Sequence, residues 1–234
     1  MNSYCPKALS KAVAAICPDI QSNVSGQLVS DERHKWWELS CCILSSQVPY
    51  SLAVAAADAI DREKLFYGNQ TKHELVLSRL IEILSNPLVV EGKKRSYRFP
   101  IARANQLAKT YSTVLYHGAS LTGLLNSFSN EIEARNWLVS NISGIGPKQA
   151  SMFLRNIGVS FDLAILDRHV LSYMFSQGIN SEKVTSISTL SKYTQFEAIL
   201  QEHAEELDCP VGVLDWAIWI VMRVANQNQE VVLA

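Results

Sequence analysis

The stretch Ser143-Gly144-Ile145-Gly146-Pro147-Lys148 joins two amphipathic segments, Glu131–Ile142 and Lys148–Ile157. Gly144 and Gly146 can take backbone conformations closed to other residues and leave their amides uncovered. Ile145 between them is placed to plug the apolar seam of the two segments. Pro147 presets the first turn of the second helix and forfeits no useful hydrogen bond there. Such a hairpin aims several N–H groups and a helix N-terminus at one spot, which suits a phosphate. Phosphate contacts position a nucleic acid without reading its sequence. An ordinary tight turn also uses Gly-x-Gly, so the surrounding residues carry the decision.

Lys148 opens the second helix. A lysine there is repelled by the positive helix end. With partial burial, that repulsion is expected to lower its pKa from about 10.4 and free the amine as a nucleophile. The plainer reading is a surface lysine. A second constellation bears on the choice. The apolar run Leu163-Ala164-Ile165-Leu166 ends at Asp167-Arg168-His169, and Val170–Phe175 then reads as helix. Asp167 falls at the N-cap position, which alone is worth about 1 kcal/mol. A carboxylate held there by backbone N–H groups would also stabilise positive charge developing on a sugar. Arg168 is a candidate DNA contact, and His169 is expected to be structural.

Outward from this block, helix signals dominate. Trp36–Ser46 is an apolar helical run, and Ser51 is placed to cap Leu52–Ile60. Thr71 with Glu74, and Thr194 with Glu197, have capping-box spacing ahead of helices ending near Ser85 and Leu207. Ile101–Tyr116 follows Pro100 with Gly118 as its stop, and Ser129 is placed to cap the helix Glu131–Asn141. Pro210 suits the first turn of a last helix carrying Trp216 and Trp219. No alternating strand stands out, and the expected class is all-α.

The 234 residues are 48% hydrophobic and 18% charged, which supports a sizeable packed core and argues against extensive disorder. No run reaches the roughly 20 apolar residues of a membrane span, and Ala8–Cys17 does not read as a signal peptide. A soluble cytoplasmic protein without membrane contact is expected. Cys5, Cys17, Cys41, Cys42 and Cys209 have no metal-site spacing, so buried free thiols are expected and no metal. A net charge of −1 argues against a protein that coats nucleic acid electrostatically. It is compatible with a grip on a few phosphates, with Lys93, Lys94, Arg95 and Arg98 the one dense basic group.

Taken together, Trp137-Leu138-Val139, Gly144 to Ser151, Phe153 to Gly158 and Asp162 to His169 resemble the helix–hairpin–helix DNA glycosylase superfamily. Within it the chain most resembles the archaeal-type 8-oxoguanine DNA glycosylase/AP lyases. Glu38 to Gln47, Tyr97-Arg98-Phe99-Pro100, Arg103-Ala104, Leu214-Asp215 and Trp219 also fit, so the resemblance runs from about residue 30 onward. It implies two helical lobes with a central cleft that receives a flipped base, the hairpin lobe spanning roughly 48–165. The other lobe would combine the N-terminal segment with the C-terminal helices. It makes Lys148 the Schiff-base nucleophile and Asp167 the catalytic carboxylate, and sets Gln47 where superfamily members fill the gap left by the base. Gly144, Gly146 and Arg168 join Gln47 as expected DNA contacts, and Trp216 or Trp219 as a base-stacking ring. The implied partner is double-stranded DNA containing a damaged base. The implied activity is excision of an oxidised purine, foremost 8-oxoguanine, followed by β-elimination without a cofactor. The archaeal-type enzymes end in a lysine that helps read oxidised guanine, whereas this chain ends Val231-Val232-Leu233-Ala234. The resemblance therefore implies the reaction more firmly than the base. Alternatives are the same scaffold acting on another modified base, a non-catalytic lesion-binding module, and a protein–protein adaptor without DNA affinity.

Overall fold

A computed structural model describes residues 5–24, 30–67 and 73–232, with side chains described as far as residue 226. Thr71 and Ala234 lie outside the described residues. In chain order the elements are α1 Pro6–Val24, α2 Glu32–Leu44, α3 Tyr50–Arg62, α4 His73–Ser85, β1 Leu88–Val90, β2 Lys93–Arg95 and α5 Pro100–Gly118. There follow α6 Leu121–Leu125, α7 Glu131–Asn141, α8 Pro147–Asn156, α9 Arg168–Ser176, α10 Leu190–Glu206 and α11 Val211–Val232. Among the described residues the fold is all-α save for one antiparallel hairpin, β1–β2. Sequence reading missed that hairpin because each strand has only three residues. Its turn residues Glu91 and Gly92 take φ of 50° and 74°, the left-handed pair that a two-residue hairpin turn requires.

The chain forms two compact units, Val29–Ile157 and Met1–Leu28 with Gly158–Ala234. The first begins ahead of the residue 48 suggested by sequence, because α2 packs against α3 and α8 within it. α2 is buried from Glu38 to Leu44 and at Lys35 and Trp36, so Lys35 and Glu38 bring charge into the core. Its Glu32 carboxylate accepts from the amides of Leu121 (2.7 Å) and Thr122 (2.8 Å) and from Trp36 Nε1 (2.9 Å). The buried Lys35 donates to Thr122 Oγ1 at 2.9 Å. These bonds tie α2 to the start of α6 and pair the polar groups of Glu32 and Lys35. The rings of Trp36 and Phe66 stack with centroids 4.8 Å apart, and Tyr111 packs tilted against both.

Three helix ends differ from expectation. Gly118 is the last residue of α5, and the left-handed position falls on Ala119 (φ 57°). Glycine is required at 118 by close approach: a Cβ would lie 2.4 Å from the Leu124 nitrogen. The α3 cap is Pro49 rather than Ser51, and Asn130, not Ser129, caps α7 by accepting from the Glu133 amide.

In the second unit α1 presents Leu9, Val13 and Cys17, four residues apart, to a core shared with α9, α10 and α11. Burial raises the thiols of Cys17 and Cys209, the latter up to about 12, and Cys209 Sγ donates to the Pro210 carbonyl at 3.5 Å. Cys41 and Cys42 in the first unit are buried as well, and Cys5 alone is exposed.

Candidate functional site

The hairpin unit holds Lys148 by local rules. α7 ends at Asn141, and Gly144 then takes φ +88°, where a side chain is strained. Space closes the position further, since a Cβ on Gly144 would sit 2.7 Å from Gln106 Oε1. Gly146 behaves otherwise. It is the N-cap of α8 at φ −104°, a conformation open to any residue. Its amide is also covered, donating to Gln149 Oε1 at 3.3 Å. Ile145 is buried, and Pro147 takes the first position of α8.

Lys148 is therefore the second residue of α8 and half-buried. Its charge reaches Cys42 on α2 and partly offsets what raises that thiol: burial first, then the charge of Glu38. Glu38 is itself buried and accepts from Asn156 Nδ2 at 3.0 Å, pinning α2 to the end of α8. Gln47 stands exposed in the turn after α2 with φ 62°, a left-handed conformation costing a glutamine of order 1–3 kcal/mol. Lys93, Lys94, Arg95 and Arg98 are all exposed, on β2 and just after it.

The second unit holds Asp167 as the N-cap of α9. Its Oδ1 accepts from the amides of His169 (2.8 Å) and Val170 (2.9 Å). Among the described residues no hydrogen bond falls on Oδ2. Arg168 is exposed, and His169 Nδ1 lies 3.2 Å from Asn226 Nδ2. Trp216 and Trp219 are half-buried on α11, with the Arg223 guanidinium 4.9 Å from the centre of the Trp219 ring.

The run leading to Asp167 has neither helix nor sheet to satisfy its amides, and three buried side chains do so instead. Ala164 N–H donates to Glu197 Oε1 (2.9 Å), Ile165 N–H to Asp215 Oδ2 (2.6 Å) and Leu166 N–H to Tyr193 Oη (3.0 Å). Tyr193 also donates back to the Ala164 carbonyl at 2.7 Å. Sequence reading gave Glu197 to a capping box with Thr194. Instead α10 starts at Leu190, so both residues are inside it, and Thr194 bonds the Leu190 carbonyl. The available signal was acidic residues at helix positions otherwise filled by core residues. A buried carboxylate needs partners, and here they are backbone amides.

Two helices joined through Gly144 and Gly146 within an all-helical frame define a helix–hairpin–helix protein. The family model described as 8-oxoguanine DNA glycosylase matches residues 23–209. This chain belongs to that family. Among its relatives, the 8-oxoguanine DNA glycosylase/AP lyase of Metallosphaera sedula is 35% identical over 190 residues, covering 81% of this chain and 82% of the relative. That of Saccharolobus solfataricus is 33% identical over 195 residues, 82% of this chain and 83% of the relative. The crystal structure of the 8-oxoguanine DNA glycosylase of Thermotoga maritima superposes with a TM-score of 0.66 at 27% identity, over 92% of this chain and 93% of that one. The Methanocaldococcus jannaschii 8-oxoguanine glycosylase/lyase in complex with 15mer DNA containing 8-oxoguanine shares the fold, at TM-score 0.58 and 24% identity over 93% and 90%.

Proposed function

We propose that this chain excises 8-oxoguanine from duplex DNA through a Schiff base on Lys148 and then cuts the abasic strand by β-elimination. The observation that carries the reading is Lys148 itself, half-buried at the second position of the helix that follows the glycine hairpin. The start of α8, directly after the hairpin, suits a DNA phosphate. The base must first leave the stack, which costs a few kcal/mol and less at a damaged pair.

The neutral Lys148 amine attacks the anomeric carbon. A C–N bond forms as the glycosidic bond breaks, and the base leaves with the electron pair and takes up a proton. Positive charge builds on the deoxyribose as the bond stretches. The Asp167 carboxylate stabilises that charge, and a preorganised group of this kind is worth about a hundredfold or more in rate. It also takes the proton that the attacking nitrogen sheds. Ring opening gives an imine that acidifies the neighbouring sugar C–H. Loss of that proton expels the 3′ phosphate, and hydrolysis of the imine returns the lysine. Gln47 fills the gap left by the base, Arg168 and the hairpin hold the backbone, and Trp216 or Trp219 stacks on the extruded base. On this reading the protein works as a monomer on DNA in a prokaryotic cytoplasm.

The test is a panel of duplexes, each with one lesion, incubated under borohydride and followed by single-turnover excision. Excision of 8-oxoguanine together with covalent trapping is the expected result. Clear activity on another lesion with none on 8-oxoguanine would reassign the base while leaving the chemistry.

A further inference from the structure

Two parts of the hairpin unit that are far apart in sequence meet at one buried cation. Arg103, in the first turn of α5, donates through Nη2 to the Ser46 carbonyl at 3.1 Å and through Nη1 to Gln106 Oε1 at 2.5 Å. Ser46 precedes Gln47, the residue held at φ 62° in the turn after α2. Gln106 lies one turn further along α5, with its side-chain amide directly against Gly144, where any Cβ would clash with it. Tyr97 adds a second tie, donating to the Leu44 carbonyl at 2.6 Å.

The buried guanidinium has few acceptors. Its Nε has no partner, and its other nitrogens are met by the Ser46 carbonyl, Gln106 Oε1 and the Tyr97 hydroxyl. Moving Gln106 away from Arg103 would leave a buried charge less satisfied, and such groups are costly to unpair. Displacement of Gly144 therefore pushes on Gln106, Gln106 on Arg103, and Arg103 on the peptide that precedes Gln47.

We propose that Arg103 and Gln106 are positioning residues that couple the hairpin to the Gln47 turn. A phosphate seated on the hairpin then fixes the placement of the side chain that replaces an extruded base. The inference rests on the readings of the hairpin as a phosphate grip and of Gln47 as the gap filler.

The test is a double-mutant cycle read by stopped-flow fluorescence, with 2-aminopurine placed beside 8-oxoguanine in the duplex. The variants are Gln47→Ala, Arg103→Met and their combination, with Gln106→Asn as a second way to break the link should Arg103→Met fail to fold. In the Gln47 background each strut variant is expected to slow base opening by about tenfold, within the range of couplings inside one network. In the Gln47→Ala background the same changes should slow it by less than about twofold, since their shared target is already gone. Borohydride trapping on a duplex with a ready-made abasic site, where no base needs extrusion, should stay within about twofold of the unaltered protein for Arg103→Met and for Gln106→Asn. Equal slowing in both backgrounds, or an equal loss of abasic-site trapping, overturns the coupling and makes the strut a plain stability element. An unchanged opening rate in Gln47→Ala alone overturns the gap-filling reading, and the coupling with it.

Discussion

The two hairpin glycines look alike in sequence and should respond oppositely to alanine. Gly144→Ala must hold φ +88°, which costs an L-residue about 1–2 kcal/mol. Its new methyl would meet Gln106 Oε1 at 2.7 Å and Cδ at 2.8 Å. Gln106 has little freedom to yield, since Arg103 grips the same oxygen at 2.5 Å. Overpacking against a fixed neighbour adds about 1–3 kcal/mol. The expected loss is therefore about 2–5 kcal/mol, or a fall of about 1–2.5 M in the urea midpoint at a slope of about 2 kcal/mol/M. At Gly146, by contrast, φ is −104° and the nearest atom to a Cβ is the far end of Gln149, 3.2 Å away. Reduced freedom of the unfolded chain and the weaker N-cap nearly cancel there, leaving Gly146→Ala within about 1 kcal/mol of the unaltered protein. Urea unfolding followed by far-ultraviolet circular dichroism separates the two. A Gly144→Ala midpoint equal to the original, or an equal drop for Gly146→Ala, would refute the assignment of one glycine to conformation and close approach and the other to capping.

Asp167→Asn keeps a capping oxygen but not the charge, so base release should slow by about a hundredfold or more while DNA affinity holds; near-normal single-turnover rates would leave Asp167 a cap and nothing more. Gln47→Gly removes the strain of the left-handed turn, and a gain in stability of up to about 1 kcal/mol with slower base opening is expected. A calorimetric melt that drops instead would show the glutamine side chain to be a stabilising contact. Burial alone would raise Glu32, but hydrogen bonds from Thr122, Leu121 and Trp36 outweigh it and hold its carboxyl below the usual range. Its contribution is thus fully present above the unfolded-state value of about 4.3 and is lost as pH falls through the depressed folded-state value. Glu32→Gln should flatten the pH dependence of stability in that acid window only, and an unchanged acid titration in the variant would contradict it.

Much of this arrangement was legible in the residues, and the gaps have physical causes. The hairpin and Asp167 could be read because caps and tight turns depend on a few adjacent residue types. Glu197 was misread because a capping-box spacing also arises by chance inside a helix. Its true partner, the Ala164 amide, is 33 residues away, and no local pattern encodes that pairing. Arg103 and Gln106 were hidden for the same reason, since the Ser46 carbonyl is 57 residues from Arg103. Arg103 fitted the resemblance, but spacing alone says nothing of the acceptors a buried guanidinium will find. The pairing of Asp215 with the Ile165 amide is likewise a property of tertiary packing. The β1–β2 hairpin was short enough that its turn, Glu91-Gly92, was the better signal than its strands.

The central claim is that Lys148 is the nucleophile, and borohydride trapping tests it most directly. The unaltered protein and Lys148→Ala are each incubated with a duplex containing 8-oxoguanine, and covalent protein–DNA adduct is scored on a denaturing gel alongside binding by mobility shift. The expected result is a strong adduct with the unaltered protein and none with Lys148→Ala, at similar affinity for the lesion duplex. Undiminished trapping by Lys148→Ala would place the nucleophile on another residue and contradict the account.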